Sequence, residues 1–543
     1  MSTGTEASTD HDTDHDDDTG TEDGTAHAGP RGRVSRTAVL VAVFICAACG
    51  LVYELALVAL GSYLIGDTVG QASIVLSLMV FAMGVGALVA KPLQRWAAAA
   101  FAAVEILLAL IGGLSVLGLY AAFAWLSLYM PALIATALVL GVLIGAEIPL
   151  LMVLLQRIRQ QAAGSAVADL FAADYVGGLV GGLAFPFLLL PLFGQIQGAL
   201  LVGMINAAAG LGLVLTVYRR ALSRKVLALL VVAALMVGGV LGSAYALADE
   251  FETTARQALY ADPIVYAQRT QYQEIVMTHS RSLLSGTEDT RLFLNGDLQF
   301  SSVDEYRYHE SLVHPAMVGD HSRVLILGGG DGLALREVLR YPDVEQATLV
   351  EMDPAMLELA RTNPRLTSLN DHAFEDPRVD AIAGDAFTWL RQNKQRYDVV
   401  LVDMPDPDST ATSKLYSAEF YALARHALAP GGRINVQSGS PYFAPEAFWC
   451  IEKTMRKAGL STVPYAVSVP TFGKWGFQLA HADGTPPKLR LPADAPPLQS
   501  LNRATLRAAT NFPPDRDRMR GIEASTLMHP TILDYSRSQW QNY

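Results

Sequence analysis

Between Val324 and Asp353 the chain reads VLILGGGDGLALREVLRYPDVEQATLVEMD, a strand, a glycine loop carrying an acid, a helix, and a strand ending in Glu351 and Asp353. Gly328, Gly329, Gly330 and Gly332 allow backbone to approach a ligand without Cβ interference. Glu351 at a strand end can accept both ribose hydroxyl hydrogens, and Asp385 in GDA can accept from an exocyclic adenine amine. Three further acids do not suit a dinucleotide: Asp331 lies in the glycine loop itself, and DMPDP places Asp403 and Asp406 three residues apart in a proline-stiffened turn. Carboxylates this dense repel anions. They suit a diamine and a sulfonium co-substrate, and one of them can take a proton from an alkyl amine, whose pKa lies near 10 in the ordinary range for such groups.

These residues need a scaffold that brings them to one edge. The rhythm is strand Arg323–Leu327, helix from Leu333, strand Ala347–Glu351, helix from Pro354, strands Val379–Ala383 and Val399–Asp403, helix from Ala418 and strand Arg433–Gln437. Strands alternating with helices imply a parallel sheet covered on both faces, a Rossmann-like (methyltransferase-type) α/β domain. In such a sheet ligands gather at the carboxyl ends of the strands, and four successive strands each deliver an acid there. A solvated acidic loop is the simpler alternative, and the ordered series disfavours it. Upstream, Tyr272–His279 alternates as a half-buried strand, and Arg291–Leu294 and Asp297–Phe300 flank Asn295-Gly296, the pair favoured in a tight hairpin. A small β-element therefore precedes the main domain.

The first half of the chain is of another kind. At 543 residues, 51% hydrophobic and mean hydropathy +0.28, the chain is too long for one ordinary domain and too apolar to be wholly soluble. From Thr37 to Leu247, apolar runs of roughly twenty residues alternate with short polar joints, the length that crosses a hydrocarbon core as helix. Seven spans are expected, near 37–57, 68–90, 100–122, 131–154, 173–193, 197–217 and 226–248. The fold class is thus a multi-span α-helical membrane domain followed by the α/β domain. GGLVGGLAF, from Gly177 to Phe185, is expected to pack helices through small residues.

Arg31 to Arg36, Lys91 and Arg95, Arg157 and Arg159, and Arg219 to Lys225 all fall on one side of the expected bundle. The positive-inside rule makes that side cytoplasmic, and seven spans then leave everything after Ala248 outside, although a nucleoside co-substrate is made in the cytosol. The stretch Gln156 to Asp174 is where a re-entrant segment would reverse the result. Glu54, Glu105, Glu147 and Asp174 sit in or at the edge of the spans, where they mark a ligand path or pair inside the bundle.

Residues 1–30 carry nine Asp or Glu and no Lys or Arg, the composition of a disordered acidic arm; His11, His15 and His27 in it could hold metal weakly. Removing those nine charges from the net −12 leaves −3, so no basic balance points to nucleic acid. Three cysteines (Cys46, Cys49 and Cys450) are too few for a disulfide framework. HExxxH at His309 invites a zinc reading, but His309 and His314 are five apart, about 140° around a helix, so no metal is expected there.

The sequence resembles the polyamine aminopropyltransferases, or spermidine synthases, in the form fused to a multi-pass membrane region. The matching segments are YQEI at Tyr272, LNGDLQF at Leu294, DEYRYHESLVH at Asp304, LGGGDG at Leu327, VEMD at Val350, GDA at Gly384 and VLVDMPDP at Val400, in family order over about 265–480. The resemblance implies aminopropyl transfer from decarboxylated S-adenosylmethionine to putrescine or a related diamine, giving spermidine and methylthioadenosine, without a metal. It implies that Gln273, Gly328, Gly330, Glu351, Asp385 and Ala386 hold the nucleoside, that His309, Asp331 and Asp406 hold the amines, with Gln299 and Gln437 lining the pocket, and that Asp403 accepts the proton with Tyr308 assisting. Two departures stand out: Ser409, Thr410 and Ala411 replace a Gly-Pro-Ala loop, and PTFGKWGF with Phe472 replaces a tyrosine-containing PTYPSG segment. Alternatives on the same residues are an S-adenosylmethionine methyltransferase and a membrane polyamine transporter or sensor that binds without turnover.

The organisation expected is an acidic tail at 1–30, a membrane domain at 31–250, the β-element at 260–300, the catalytic domain at 301–485 and a C-terminal extension at 486–543. The expected setting is the cell membrane, with the lipid bilayer and a diamine as partners; a homo-oligomer is compatible with the sequence, which does not specify one.

Overall fold

The computed structural model describes residues 30–65, 68–158, 163–220, 222–282 and 286–540. The expected acidic arm, residues 1–29 with their histidines, lies outside the described residues, as do the side chains of Arg31, Arg33, Arg36, Arg157 and Arg159. The described residues divide into two compact units, one reaching Leu57 and including Val75–Leu117 and Leu133–Ala246, the other comprising Val58–Ile74, Gly118–Ala132 and the chain from Leu247.

The long helices are α1 (Pro30–Ile65), α2 (Thr68–Leu93), α3 (Ala97–Ala121), α4 (Tyr129–Ile158), α5 (Ala163–Ala184), α6 (Leu190–Leu213) and α7 (Arg224–Ala246). They form five continuous helical stretches long and apolar enough to cross a membrane, of which Val69–Leu126 (58 residues) and Val167–Tyr218 (52 residues) hold two helices each. Within the first turns of α6 the helix kinks at Gly194 (φ 69°, ψ −171°), a conformation that a side chain would resist. Close packing falls on glycines: a Cβ on Gly177 or Gly181 would lie 2.2 or 2.3 Å from the Phe44 or Ala48 carbonyl oxygen of α1, and one on Gly86 would lie 2.0 Å from that of Val142 in α4. The expected small-residue seam at Gly177–Phe185 is therefore seated on α1.

In the second unit, α8 (Ala248–Ala258) leads into an antiparallel sheet of β1 (Ile264–Arg269), β2 (Glu274–Arg281), β3 (Glu288–Leu294) and β4 (Asp297–Ser301), in that order. Strand β1 is an addition to the expected β-element. Asn295 (φ 53°) and Gly296 (φ 92°) make the tight turn between β3 and β4, as their types require. Then come α9 (Glu305–Val313), β5 (Arg323–Gly328), α10 (Leu333–Leu339), β6 (Gln346–Glu351), α11 (Pro354–Thr362), α12 (Pro364–Leu369), β7 (Val379–Ala383), α13 (Ala386–Gln392), β8 (Tyr397–Asp403), α14 (Thr410–Ser413), α15 (Ala418–His426), β9 (Leu428–Gln437), α16 (Pro445–Lys457), β10 (Ser461–Val469), β11 (Gly473–His481), α17 (Arg503–Ala509) and α18 (Thr531–Trp540).

The seven-stranded sheet runs β10-β11-β9-β8-β5-β6-β7. Its five central and right-hand strands are parallel, as expected, but β11 joins β9 antiparallel and β10 joins β11 antiparallel, so the sheet is mixed. Alternate residues of one strand enter opposite cores. Leu325, Leu327, Val400 and Val402 pack with Phe420, Tyr421 and Phe448 on one face. Val324, Ile326, Val399 and Leu401 pack with Leu312, Ala334 and Leu335 on the other. The period of two thus builds a doubly covered sheet whose strand ends are fixed by buried apolar side chains.

Candidate active site

The site grows from the junction of β5 and β8, whose ends lie side by side with Gly328 opposite Asp403. Gly328 (φ 83°), Gly329 (φ 64°) and Gly332 (φ 84°) take left-handed conformations, so the chain turns sharply before α10. A Cβ on Gly328 would lie 2.0 Å from the Asp403 carbonyl oxygen, and one on Gly330 would lie 2.7 Å from Glu351 Cγ. The glycines therefore bring the β5, β6 and β8 ends, with Asp331, Glu351 and Asp403, close together. In the loop, Asp331 accepts from the Leu333 amide at 2.9 Å, and Asn370 donates to the Asp331 carbonyl at 3.0 Å.

Tyr308, buried on α9, donates to Asp403 Oδ1 at 2.5 Å. Its neighbour His309 is 2% exposed, and its Nδ1 lies 2.7 Å from Glu305 Oε2 and 2.9 Å from the Glu305 carbonyl oxygen. Arg336 closes the far side of Glu305 with contacts of 2.9 and 3.0 Å. Burial works against a protonated His309, but the Glu305 hydrogen bond and the charges of Glu305, Asp331 and Asp403 leave its pKa raised. Burial pushes Asp403 up to about 6 against the opposing influence of His309, and Asp331 adds to the rise. Asp331 is itself raised, by burial, with His309 opposing.

Asp406 lies beyond the β8 end, where burial, then the nearby Asp408 and Asp297, push it up to about 7 despite a hydrogen bond from Gln437. Gln437 is fully engaged: Nε2 donates to the Met404 carbonyl at 2.6 Å, Tyr416 Oη at 2.9 Å and Asp406 Oδ1 at 3.1 Å, while Oε1 accepts from Gly439 N at 2.9 Å and Trp475 Nε1 at 3.2 Å. This side chain holds the Asp406 carboxylate and has no spare donor, which differs from a simple pocket-lining role. Gln299 turns back on its own strand, donating to the Asp297 carbonyl at 3.1 Å.

At the β6 end, burial raises Glu351 to about 7, opposed by the amide of Asp353, which donates to Oε1 at 3.0 Å. Asp353 caps α11 and accepts from Thr270 Oγ1 at 2.7 Å and Gln273 Nε2 at 3.1 Å, which ties the segment before β2 to the β6 end. Asp385 caps α13 immediately before the buried Ala386. Its carboxylate accepts from Thr388 Oγ1 at 2.9 Å and Lys414 Nζ at 3.3 Å, and these bonds more than offset burial and hold its pKa below the ordinary value.

Glu305, Tyr416 and Trp475 join the site without having been expected there. Glu305 was findable, since DEYRYHE sets it four residues before His309 on one helix face. Tyr416 and Trp475 reach Gln437 from separate elements, and no local spacing announces that. The residues of HExxxH part company: His314 binds Tyr341 Oη at 2.7 Å and Glu337 at 3.0 Å, and Glu310 accepts from the backbone at 499–501. At the two departures, Ser409 and Thr412 form a capping box on α14, and the Phe472 ring meets Tyr308 edge-on at 6.3 Å.

Fold and site together define an α/β transferase of the spermine/spermidine synthase type, and the family described as "Spermine/spermidine synthase domain" matches residues 305–490. A Streptomyces coelicolor protein named Polyamine aminopropyltransferase 1 is 60% identical over 511 residues, 94% of this chain and 96% of its own length. The Mycobacterium tuberculosis Polyamine aminopropyltransferase is 47% identical over 515 residues, 93% of this chain and 97% of its own length. The chain belongs to the polyamine aminopropyltransferase family. Among solved structures, spermidine synthase from Thermotoga maritima matches 46% of this chain and 84% of its own at 27% identity and a TM-score of 0.41.

Proposed function

We propose that this enzyme transfers the aminopropyl group of decarboxylated S-adenosylmethionine to putrescine, forming spermidine and methylthioadenosine, with Asp403 as the proton acceptor. The supporting observation is the pairing of Tyr308 with Asp403 at the end of β8, between the glycine loop and Asp406. Gln273, Gly328, Gly330, Glu351, Asp385 and Ala386 would hold the nucleoside; Asp331 and Asp406 would hold the positive ends of the amines. His309, gripped by Glu305, would fix the charge balance of Asp331 and Asp403. The attacking amine must lose a proton, and Asp403 takes it while Tyr308 fixes the carboxylate's orientation. The new C–N bond forms at the methylene beside the sulfonium, the C–S bond breaks, and a neutral thioether leaves. Holding two cations in near-attack geometry supplies most of the rate.

Full-length protein in detergent, given decarboxylated co-substrate and a diamine series, is expected to release methylthioadenosine and the aminopropylated amine, fastest with putrescine. Methyl transfer from ordinary S-adenosylmethionine, or binding without product, would overturn the proposal. We place the enzyme in the cell membrane through its helical region, with the catalytic domain spanning about residues 301–485.

A further inference from the structure

The helical unit holds a polar cluster that aminopropyl transfer does not use. Cys46 on α1, Glu105 on α3 and Glu147 on α4 each present one ligand atom, and all three atoms lie within 4.8 Å of one another. The residues are 1%, 0% and 5% exposed. Cys46, Asn206 and Glu147 approach the Glu105 carboxylate, yet neither of its oxygens has a partner in hydrogen-bond geometry, nor has Glu147 Oε1. Two more buried groups around the cluster are unpartnered, the Asn206 Oδ1 and the Tyr53 hydroxyl. Asn206 Nδ2 sits 3.5 Å from the Glu105 carbonyl oxygen, and Tyr53 interacts electrostatically with Cys46, Glu105 and Glu147.

Glycines make room for these side chains. A Cβ on Gly210 would lie 2.5 Å from Glu105 Cβ, and one on Gly112 would lie 2.7 Å from the Tyr53 ring. Among the described residues neither glutamate forms an ion pair. Two carboxylates facing each other in an apolar bundle, with no counter-charge among the described residues, are costly if ionised. A bound cation removes that cost.

We propose that Cys46, Glu105 and Glu147 form a metal site inside the membrane bundle that takes one divalent cation of the zinc class. One sulfur and two carboxylate oxygens suit a borderline-soft ion better than magnesium or calcium, which prefer all-oxygen shells. Zinc bonds of about 2.0–2.3 Å keep any two ligand atoms of one ion within about 4.6 Å, compatible with this grouping. The unpartnered amide oxygen of Asn206 and the Tyr53 hydroxyl would serve as a fourth donor or hydrogen-bonding support. Binding replaces the Cys46 thiol proton, which is released to solvent, so occupancy rises with pH.

The test uses tag-free, full-length protein in detergent, stripped with a chelator and reloaded with Zn²⁺ or, as a spectroscopic probe, Co²⁺. One Zn²⁺ per chain should survive desalting, and the cobalt form should show a near-ultraviolet thiolate charge-transfer band. That band separates this site from the histidines of the acidic arm, which offer no sulfur. Cys46→Ser should abolish the band, and Glu105→Gln and Glu147→Gln should weaken metal binding by about tenfold or more. Cys49→Ser, whose thiol donates instead to the Val202 carbonyl at 3.8 Å, should leave both intact. Each variant is compared only if it elutes as the parent does, and the parent's own band decides the matter if a glutamine variant fails to fold. Absence of retained zinc in the parent, or an undiminished band in Cys46→Ser, would overturn the proposal.

Discussion

Asp403 and Asp406, held up at about 6 and about 7, are groups whose ordinary values lie near 4. A carboxyl raised in the folded state lends stability that is complete below its unfolded pKa and is lost as pH rises through its folded one. The ligand-free enzyme should therefore lose stability between about pH 4 and 7, and cationic ligands should restore it. Putrescine is accordingly expected to raise the melting temperature more at pH 8 than at pH 5; an equal shift at both would contradict the assignment. The same protonation removes the base, so kcat/KM should climb from pH 5 to 8, with apparent values that belong to the coupled cluster. At this scale Asp403 was legible because it ends a strand whose apolar run is plain in the sequence, and Asp406 because it follows three residues later in the same proline-stiffened turn. The hold of Gln437 on Asp406 was not, because it joins β9 to β11 through Trp475 and to the segment before α15 through Tyr416.

Among the elements, the turn from β5 into α10 sets the distance between the glycine loop and Glu351. Gly330→Ala would drive a methyl into Glu351, and the expected result is a rise in co-substrate Kd of about tenfold with the fold retained; an unchanged Kd would show that the loop yields. The starts of α10, α11 and α15 fall at the expected Leu333, Pro354 and Ala418, because a loop glycine and the caps Asp353 and Ser417 mark them. The β10–β11 hairpin escaped because Pro464 argues against a central strand; β10 tolerates it as the sheet's edge. The C-terminal extension docks through Glu310, which accepts from Gln499 N at 2.6 Å, Leu501 N at 2.9 Å, and Ser500 N and Oγ at 3.0 Å. Glu310→Ala strands those donors and should cost about 2–3 kcal/mol in unfolding experiments; a loss below 0.5 kcal/mol, the ordinary surface range, would contradict it.

For the molecule as a whole, helices α1 to α7 fall near the expected apolar runs, and they join into five continuous stretches long and apolar enough to cross a membrane. How Cys46, Glu105 and Glu147 meet was not legible, because they lie on three helices whose rotations the sequence does not set. The protein should stay with membranes through an alkaline carbonate wash and leave only with detergent; release by carbonate would contradict the spans. The basic joints and the cytosolic supply of co-substrate demand opposite sides for the catalytic unit, and a topology reporter fused after residue 260 tells which governs. In the proposed reaction the clustered acids turn the meeting of two cations into a single-complex step in which Asp403 takes the proton. The most direct test is single-turnover kinetics of the full-length Asp403→Asn enzyme with saturating decarboxylated co-substrate and putrescine. The predicted result is a fall of about 10²–10⁴-fold in methylthioadenosine formation with nucleoside affinity nearly unchanged. Formation at the parent's rate would contradict it.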